Sequence, residues 1–523
     1  MRVDWRENCG MPSVASNQNR RKQEFSSRRR QRGAVLLLLA LLLVITGSWL
    51  GLRMLATPKA VASMRGADAV LREARDALLG ASMAMVVANV VRPGQLPTPD
   101  FLDPAEGPAN YDGSFNACAL STWVAGAALP AMGAVLPAST RCLGRLPWAT
   151  LGLGIFGSSV ESDPAGAVPW YAISTNLAPG TCVRALNPAL LNTGHTPGTC
   201  GSLTVTQPFP WLTVRDYKGN LLTNRAAFVL VLPGPPLGGQ ARPASPLAGP
   251  AAYLDSVTVT ASCSQPCVPG TYNNARFNWP DEGPDDVGLS FIQCAPPSQV
   301  SPNDPSFTQP YQCNDRLLYV TIDELMELTE RRATQHIADL LRAYYAANRF
   351  FPFAAPLTQL TLTPRLRGQC ETGNLIGLPP TVPTTPASVP PNPSPCTHPE
   401  FSAQVQGWFN ANSWGDYMIY NFAADCTQPT PALTPTANCG GVSGIRLASG
   451  AVAGARALLI GAGPAIITAP FAASRPGVAQ ERPSSLLADY LDSVENINAD
   501  IRFDAPTAPL ARNFNDKTVV VAP

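Results

Sequence analysis

The sequence predicts an α+β fold in which an N-terminal transmembrane helix precedes two tandem modules, each a helix followed by short strands on long loops. Three observations predict it: an uncharged run of nineteen residues from Ala34 to Leu52, an ordered repetition of features between two halves of the remaining chain, and a proline- and cysteine-rich composition outside the run. The predicted divisions are a basic cytoplasmic leader at 1–33, a transmembrane helix at 34–57, a first module at 58–320 and a second at 321–523. Residues 378–395 form a Pro/Thr/Ser-rich loop inside the second module.

The apolar run is long enough to cross a hydrocarbon core of ~30 Å as a helix at ~1.5 Å per residue. Residues 1–32 carry nine Lys/Arg against three Asp/Glu, which keeps the short tail in the cytoplasm and exports the chain beyond the run. The net charge of +1 therefore divides into +6 for the tail and, by subtraction, −5 for the rest. No nucleic-acid partner is expected from that balance. Two other readings of the run are an anchor that is never cleaved and a secretory signal peptide cut after Ala60-Val61-Ala62.

Each half opens on a helix. Ala67, Leu71, Ala74, Leu78, Ala81, Met85 and Ala88 step by four and three along one stripe that ends at Arg92-Pro93-Gly94. Pro58 is expected to kink any helix continuing from the apolar run. In the second half Thr321-Ile322-Asp323-Glu324 is a capping box, followed by Leu325, Leu328, Ile337, Leu340, Leu341 and Tyr344 up to Phe351-Pro352. Both helices lead into a proline turn, Gln95-Leu96-Pro97-Thr98-Pro99 and Phe350-Phe351-Pro352-Phe353.

The correspondence continues in order. The strand-like segment Trp170–Asn176 is matched by Trp414–Asn421, and Phe228–Gly234 by Ala457–Gly463. Arg242-Pro243 answers Arg475-Pro476, and Tyr253-Leu254-Asp255-Ser256 answers Tyr490-Leu491-Asp492-Ser493. Asn314-Asp315-Arg316 and Asn515-Asp516-Lys517 each head a closing strand. The two halves read as an internal duplication.

The cysteines respect the same boundary. Cys9 lies in the leader, eight (Cys118, Cys142, Cys182, Cys200, Cys263, Cys267, Cys294, Cys313) fall in the first module and four (Cys370, Cys396, Cys426, Cys439) in the second. Even counts outside the membrane and one cysteine inside fit an oxidising compartment, so all twelve are disulfide candidates. Zinc at Cys263-Ser-Gln-Pro-Cys267 is the rival reading, and it lacks obvious histidine or second-pair ligands. Charged residues are only 14% of the chain and its 54 prolines are about twice the usual ~5%. Much of the exported part is expected to be rigid loop.

No enzymatic constellation is present in sequence. Gly441-Val442-Ser443-Gly444 lacks the final glycine of G-x-S-x-G, and neither H-E-x-x-H nor a P-loop occurs. The three histidines, His195, His336 and His398, are scattered, and His336, inside the second helix, is expected to have a packing or surface role. No cofactor is expected; the acids Asp100, Asp103 and Asp112, with Glu106, are weak Ca²⁺ candidates, as are Asp281, Glu282, Asp285 and Asp286. Neither group has EF-hand spacing.

Basic leader, glycine and uninterrupted leucine-rich helix together resemble the class III signal of type IV pilins and pseudopilins. The resemblance implies cleavage by a prepilin peptidase between Gly33 and Ala34, and heads built as one helix packed on an antiparallel sheet. Pilins usually carry a glutamate five residues into the mature helix, where this chain has Leu38. The exceptions resemble tip-type minor subunits. The segments Gly144–Leu153, Arg92–Pro97 and Asn314-Asp315-Arg316 also resemble bacterial pilin-like envelope proteins. The expected protein is thus a minor pilin- or pseudopilin-like subunit, a tip or initiator of a type IV pilus or type II secretion pseudopilus. Its implied partners are the inner membrane, other pilin or pseudopilin subunits and prepilin peptidase. The alternative is a surface binding protein or adhesin on a plain anchor.

Overall fold

The computed structural model describes residues 58–100, 143–153, 168–237, 250–259, 270–275, 290–294, 313–381, 399–427 and 439–522, with short interruptions inside these blocks. Residues 1–68 and 69–523 form two compact units. The sheets and packed helices belong to the second unit, apart from the first turns of its opening helix.

That helix, α1 (Pro58–Ala84), starts on a proline, whose missing N–H costs nothing in a first turn. Leu71, Ala74 and Leu78 are its buried stripe. It is shorter than its periodicity predicts. Val86–Val87 and Val90–Val91 pair as antiparallel strands instead, in keeping with the strand preference of β-branched residues.

The first sheet contains β1 (Leu143–Arg145), β2 (Trp170–Ile173), β3 (Leu212–Asp216), β4 (Leu221–Leu232), β5 (Ser290–Gln293) and β6 (Arg316–Thr321). Strand β4 is its spine. The last part of β4 pairs antiparallel with β2 on one side and β6 on the other, and β1 extends the sheet beyond β2. The first part of β4 pairs with β3, and β5 joins β3 in parallel.

Strand β6 runs directly into α2 (Ile322–Asn348), where the Thr321 side chain accepts a hydrogen bond from the Glu324 N–H. The Thr321 cap therefore starts the helix where the sequence places it. Ile322, Leu325, Ala333, Ile337, Leu341 and Tyr344 line its buried face, whereas Leu328 and Leu340 lie at its margins.

The second half repeats the arrangement. Its strands are β7 (Ile376–Gly377), β8 (Met418–Phe422), β9 (Ile445–Leu447), β10 (Ala453–Ala455), β11 (Ala457–Gly461), β12 (Arg502–Phe503) and β13 (Lys517–Ala522). The order β7-β8-β11-β13 reproduces β1-β2-β4-β6. The companion set is reproduced as well: β9 pairs antiparallel with β10 and parallel with β12, as β3 does with β4 and β5. One alternation places Leu458 and Ile460 in a core with Tyr490, Leu491 and Phe503. The other turns Gly461 toward α2, where a Cβ would stand 3.0 Å from Glu330 Oε1.

These findings correct the expected fold class. The chain is mixed α/β with several sheets, and a parallel strand in each half breaks the antiparallel sheet that the pilin resemblance implies. No helix among the described residues is long and apolar enough to cross a membrane. Both described long helices carry charged residues on most turns. The run at 34–57 read as a membrane helix lies outside the described residues.

The halves share polar contacts, buried at Asn412 and exposed or half-buried elsewhere. Leu186 N–H donates to Asn412 Oδ1 at 2.8 Å, and Asn187 Nδ2 donates to the Asn412 carbonyl at 2.8 Å. Arg225 makes a two-pronged contact with Asp323 of α2 at 2.8 and 2.9 Å, and Arg75 of α1 pairs with Glu324.

Candidate functional site

The most specialised chemistry in the described residues is a buried carboxylate clasp, built twice. In the first half the turn Tyr253–Asp255 meets the residues that enter β6. Asp315 Oδ2 accepts the Asp255 N–H at 2.8 Å, while Asp255 Oδ2 accepts the N–H groups of Asn314 at 2.6 Å and Asp315 at 3.1 Å. Asn274 adds a donor to Asp315 Oδ2 at 3.1 Å and exchanges hydrogen bonds with both backbone groups of Ile292 on β5.

The second half has the same bonds on the equivalent residues. Asp516 Oδ2 accepts from Asp492 N at 2.9 Å and Asn496 Nδ2 at 3.2 Å, and Asp492 Oδ2 accepts from Asn515 N at 2.5 Å. Asn496 Oδ1 accepts from Asp504 N at 2.7 Å. Glycine is required beside each clasp: a Cβ on Gly234 or Gly463 would stand 2.4 or 2.5 Å from the Oδ1 of Asn314 or Asn515.

Each clasp tyrosine lies under a guanidinium, but the arginines come from different places. Arg145 of β1 sits 4.7 Å from the Tyr253 ring and 4.1 Å from that of Trp170. At the equivalent point, just past β7, stands Leu378, and Arg482 from a later loop covers Tyr490 at 5.2 Å. Arg482 also donates to the carbonyls of Ala462 at 2.9 Å and Tyr490 at 3.0 Å. The two halves thus keep a cation over the tyrosine face by separate means.

Electrostatics follow from burial. Asp492 and Asp516 are held above the usual carboxylate range by loss of water, and for Asp516 also by the neighbouring Asp492 charge. Burial lowers the Arg482 guanidinium and raises the Tyr490 phenol. Hydrogen bonds from Asn515, Gln480 and Asp516, with the Arg482 charge, oppose the rise at Asp492. These acids tie backbone segments together and are fully enclosed.

Of the residues singled out in sequence, Asp100 is buried, and its backbone bridges Arg145 in both directions at 2.8 and 2.9 Å; it is a strand-pairing residue. Asp103, Asp112 and the processing pair Gly33-Ala34 lie outside the described residues. So do Cys118, Cys142, Cys263, Cys267 and Cys396. Cys294–Cys313 and Cys426–Cys439 are disulfides, each closed inside its own half, and Cys370 is disulfide-bonded. Cys182 and Cys200 stand opposite each other on paired strands. His336 packs against Trp408 and Phe409, accepts from the Gln406 N–H at 3.2 Å, and is lowered first by burial and then by Arg332.

Sequence reasoning did not find Asn274, Asn496, Gln480 or Arg482, none of which belongs to a repeated motif. The repeated Tyr-Leu-Asp-Ser and Asn-Asp-basic segments were the available signal for the clasp. A further grouping escaped it: Asp255, Cys294 and Cys313 bring three potential metal-ligand atoms within 4.8 Å of one another. No family model, no curated protein and no solved structure matches this chain.

Proposed function

We propose that the protein is a structural subunit of an exported assembly, minor pilin- or pseudopilin-like, placed at a filament tip or at its initiation. The single observation that carries a structural role is the duplicated clasp: the most elaborate polar groups of both halves hydrogen-bond backbone, and their buried carboxylates are spent on holding a turn to a strand. A catalytic acid pair would instead need to reach a substrate.

Two intra-half disulfides support maturation in an oxidising compartment. The filament reading rests on the Arg32-Gly33-Ala34 junction and on Leu38, whose side chain has no carboxylate to offset a neighbouring subunit's terminal amine. Prepilin peptidase and other filament subunits are its proposed partners. Intact-mass analysis of the protein from cells with an active prepilin peptidase tests it. A mature chain starting at Ala34 is expected, and Gly33 substitution should block processing. Retention of residues 1–33, or a start at Ser63, would overturn the filament reading.

A further inference from the structure

The clasp of the first half also differs from its twin in what lies beside the carboxylate. Beside Asp255 lie Cys294 and Cys313, whereas Phe514 stands at the position equivalent to Cys313 and the twin carboxylate, Asp492, is met by Gln480 Nε2 at 3.0 Å. One carboxylate oxygen of Asp255 and the two sulfurs lie within 4.8 Å of one another. Tetrahedral zinc, with bonds of about 2.3 Å to sulfur and about 2.0–2.2 Å to oxygen, sets its ligands about 3.4–3.8 Å apart. Parting the two sulfurs from bonding distance is the main adjustment needed.

The Asp255 carboxylate is already oriented as a metal-binding carboxylate should be. Its Oδ2 is fixed by the N–H groups of Asn314 and Asp315 at 2.6 and 3.1 Å, the kind of outer hydrogen bonding that positions a ligating group. Asp255 and Cys313 are 2% and 0% exposed, and Cys294, at 8%, is the more open side. Three protein ligands leave the fourth tetrahedral position to a water.

We propose that the thiol form of the chain binds one Zn²⁺ through Cys294, Cys313 and Asp255, and that disulfide formation expels it. Binding releases the two thiol protons and forms two zinc–thiolate bonds and one zinc–carboxylate bond. On oxidation a disulfide-containing oxidant takes the two electrons from the thiolates and two protons from water to become two thiols, the two sulfurs join as a disulfide, both zinc–sulfur bonds break, and Zn²⁺ leaves. The site would hold the clasp in register in newly made chains, before the covalent bridge exists. This goes beyond the proposed structural role and stands or falls independently of filament assembly.

The test uses the full chain, reduced, exposed to Zn²⁺ and desalted, with zinc per chain measured by atomic absorption. The remaining thiols contribute equally to the variants that keep them, so differences report this site. Wild type and Asp492→Asn are expected to hold one more equivalent than Asp255→Asn, which retains every thiol. The double variant Cys294→Ser/Cys313→Ser should also lose that equivalent, and oxidation by glutathione disulfide should release it from wild type. Zinc uptake by Asp255→Asn or the double variant equal to wild type would overturn the proposal. Equal loss in Asp492→Asn would also overturn it, by tracing the effect to lost folding.

Discussion

Asp255 and Asp315 grip each other across 60 residues of chain: the carboxylate of each accepts the backbone N–H of the other, at 2.8 and 3.1 Å. The bond that Asp315 accepts recurs at Asp492 and Asp516. A reciprocal bond fixes a turn against a strand without a ladder between them. Removing one carboxylate leaves buried donors unmet, at about 1–3 kcal/mol each. Asp315→Ala orphans the Asp255 N–H and one Asn274 donor, so urea unfolding should show a loss of roughly 2–6 kcal/mol. A change under 1 kcal/mol would mean the clasp is incidental.

Acidity should act on the second clasp against the usual direction. Burial raises Asp492 and Asp516, so the folded state holds protons that the unfolded chain has released. Their contribution is full below the unfolded carboxylate value of about 3.9 and is lost as pH rises through the raised folded values, at about 1.4 kcal/mol per unit of displacement. Asp516→Asn should therefore raise the Tm most near neutrality and least near pH 4. A substitution effect that is independent of pH, or largest at low pH, would contradict the assignment.

Two glycines should be equally intolerant of a methyl group. A Cβ on Gly144 would lie 2.3 Å from the Asp100 carbonyl oxygen, and on Gly377 2.1 Å from that of Ala355. Both stand at equivalent bridges between a proline turn and an edge strand. Backbone cannot yield as a side chain tip does, so each alanine variant should cost at least the ~1–3 kcal/mol of an overpacked core. Similar losses in parallel denaturation curves would support the duplication; a neutral Gly377→Ala would not.

Peptide mapping without reduction should return Cys294–Cys313 and Cys426–Cys439, and also Cys182–Cys200. The last pair faces across Cys182–Val183 and Gly198–Cys200, and directly opposed strand residues have the ~4.5–5.5 Å Cα spacing that a disulfide accepts. Recovery of Cys182 or Cys200 joined to a cysteine of the second half would refute the segregation of bridges.

Contiguous signals were legible in the sequence. Thr321 and Glu324 announced a helix start because capping is local, and Gly234 with Gly463 marked one point in both halves because equivalent asparagines, Asn314 and Asn515, crowd them. Relations between distant short segments were not. The matching of Trp170 with Trp414 misplaced the strand: Tyr171 and Tyr420 are the equivalent residues, each donating to a carbonyl of its proline turn, Pro97 at 3.0 Å and Pro352 at 3.2 Å. Trp414 belongs to a single helical turn before β8. The parallel strands β5 and β12 are four and two residues long, too short to show a period. Asp100 looked like a loop acid because sequence does not reveal a backbone bridge to a residue 45 positions away.

The central claim, a structural subunit that begins or caps a filament, is tested most directly by locating labelled full-length protein on filaments in cells that make them. Label at filament ends or confined to the membrane fraction is predicted, together with fewer filaments of ordinary length when the protein is deleted. Uniform label along the shafts would contradict the claim.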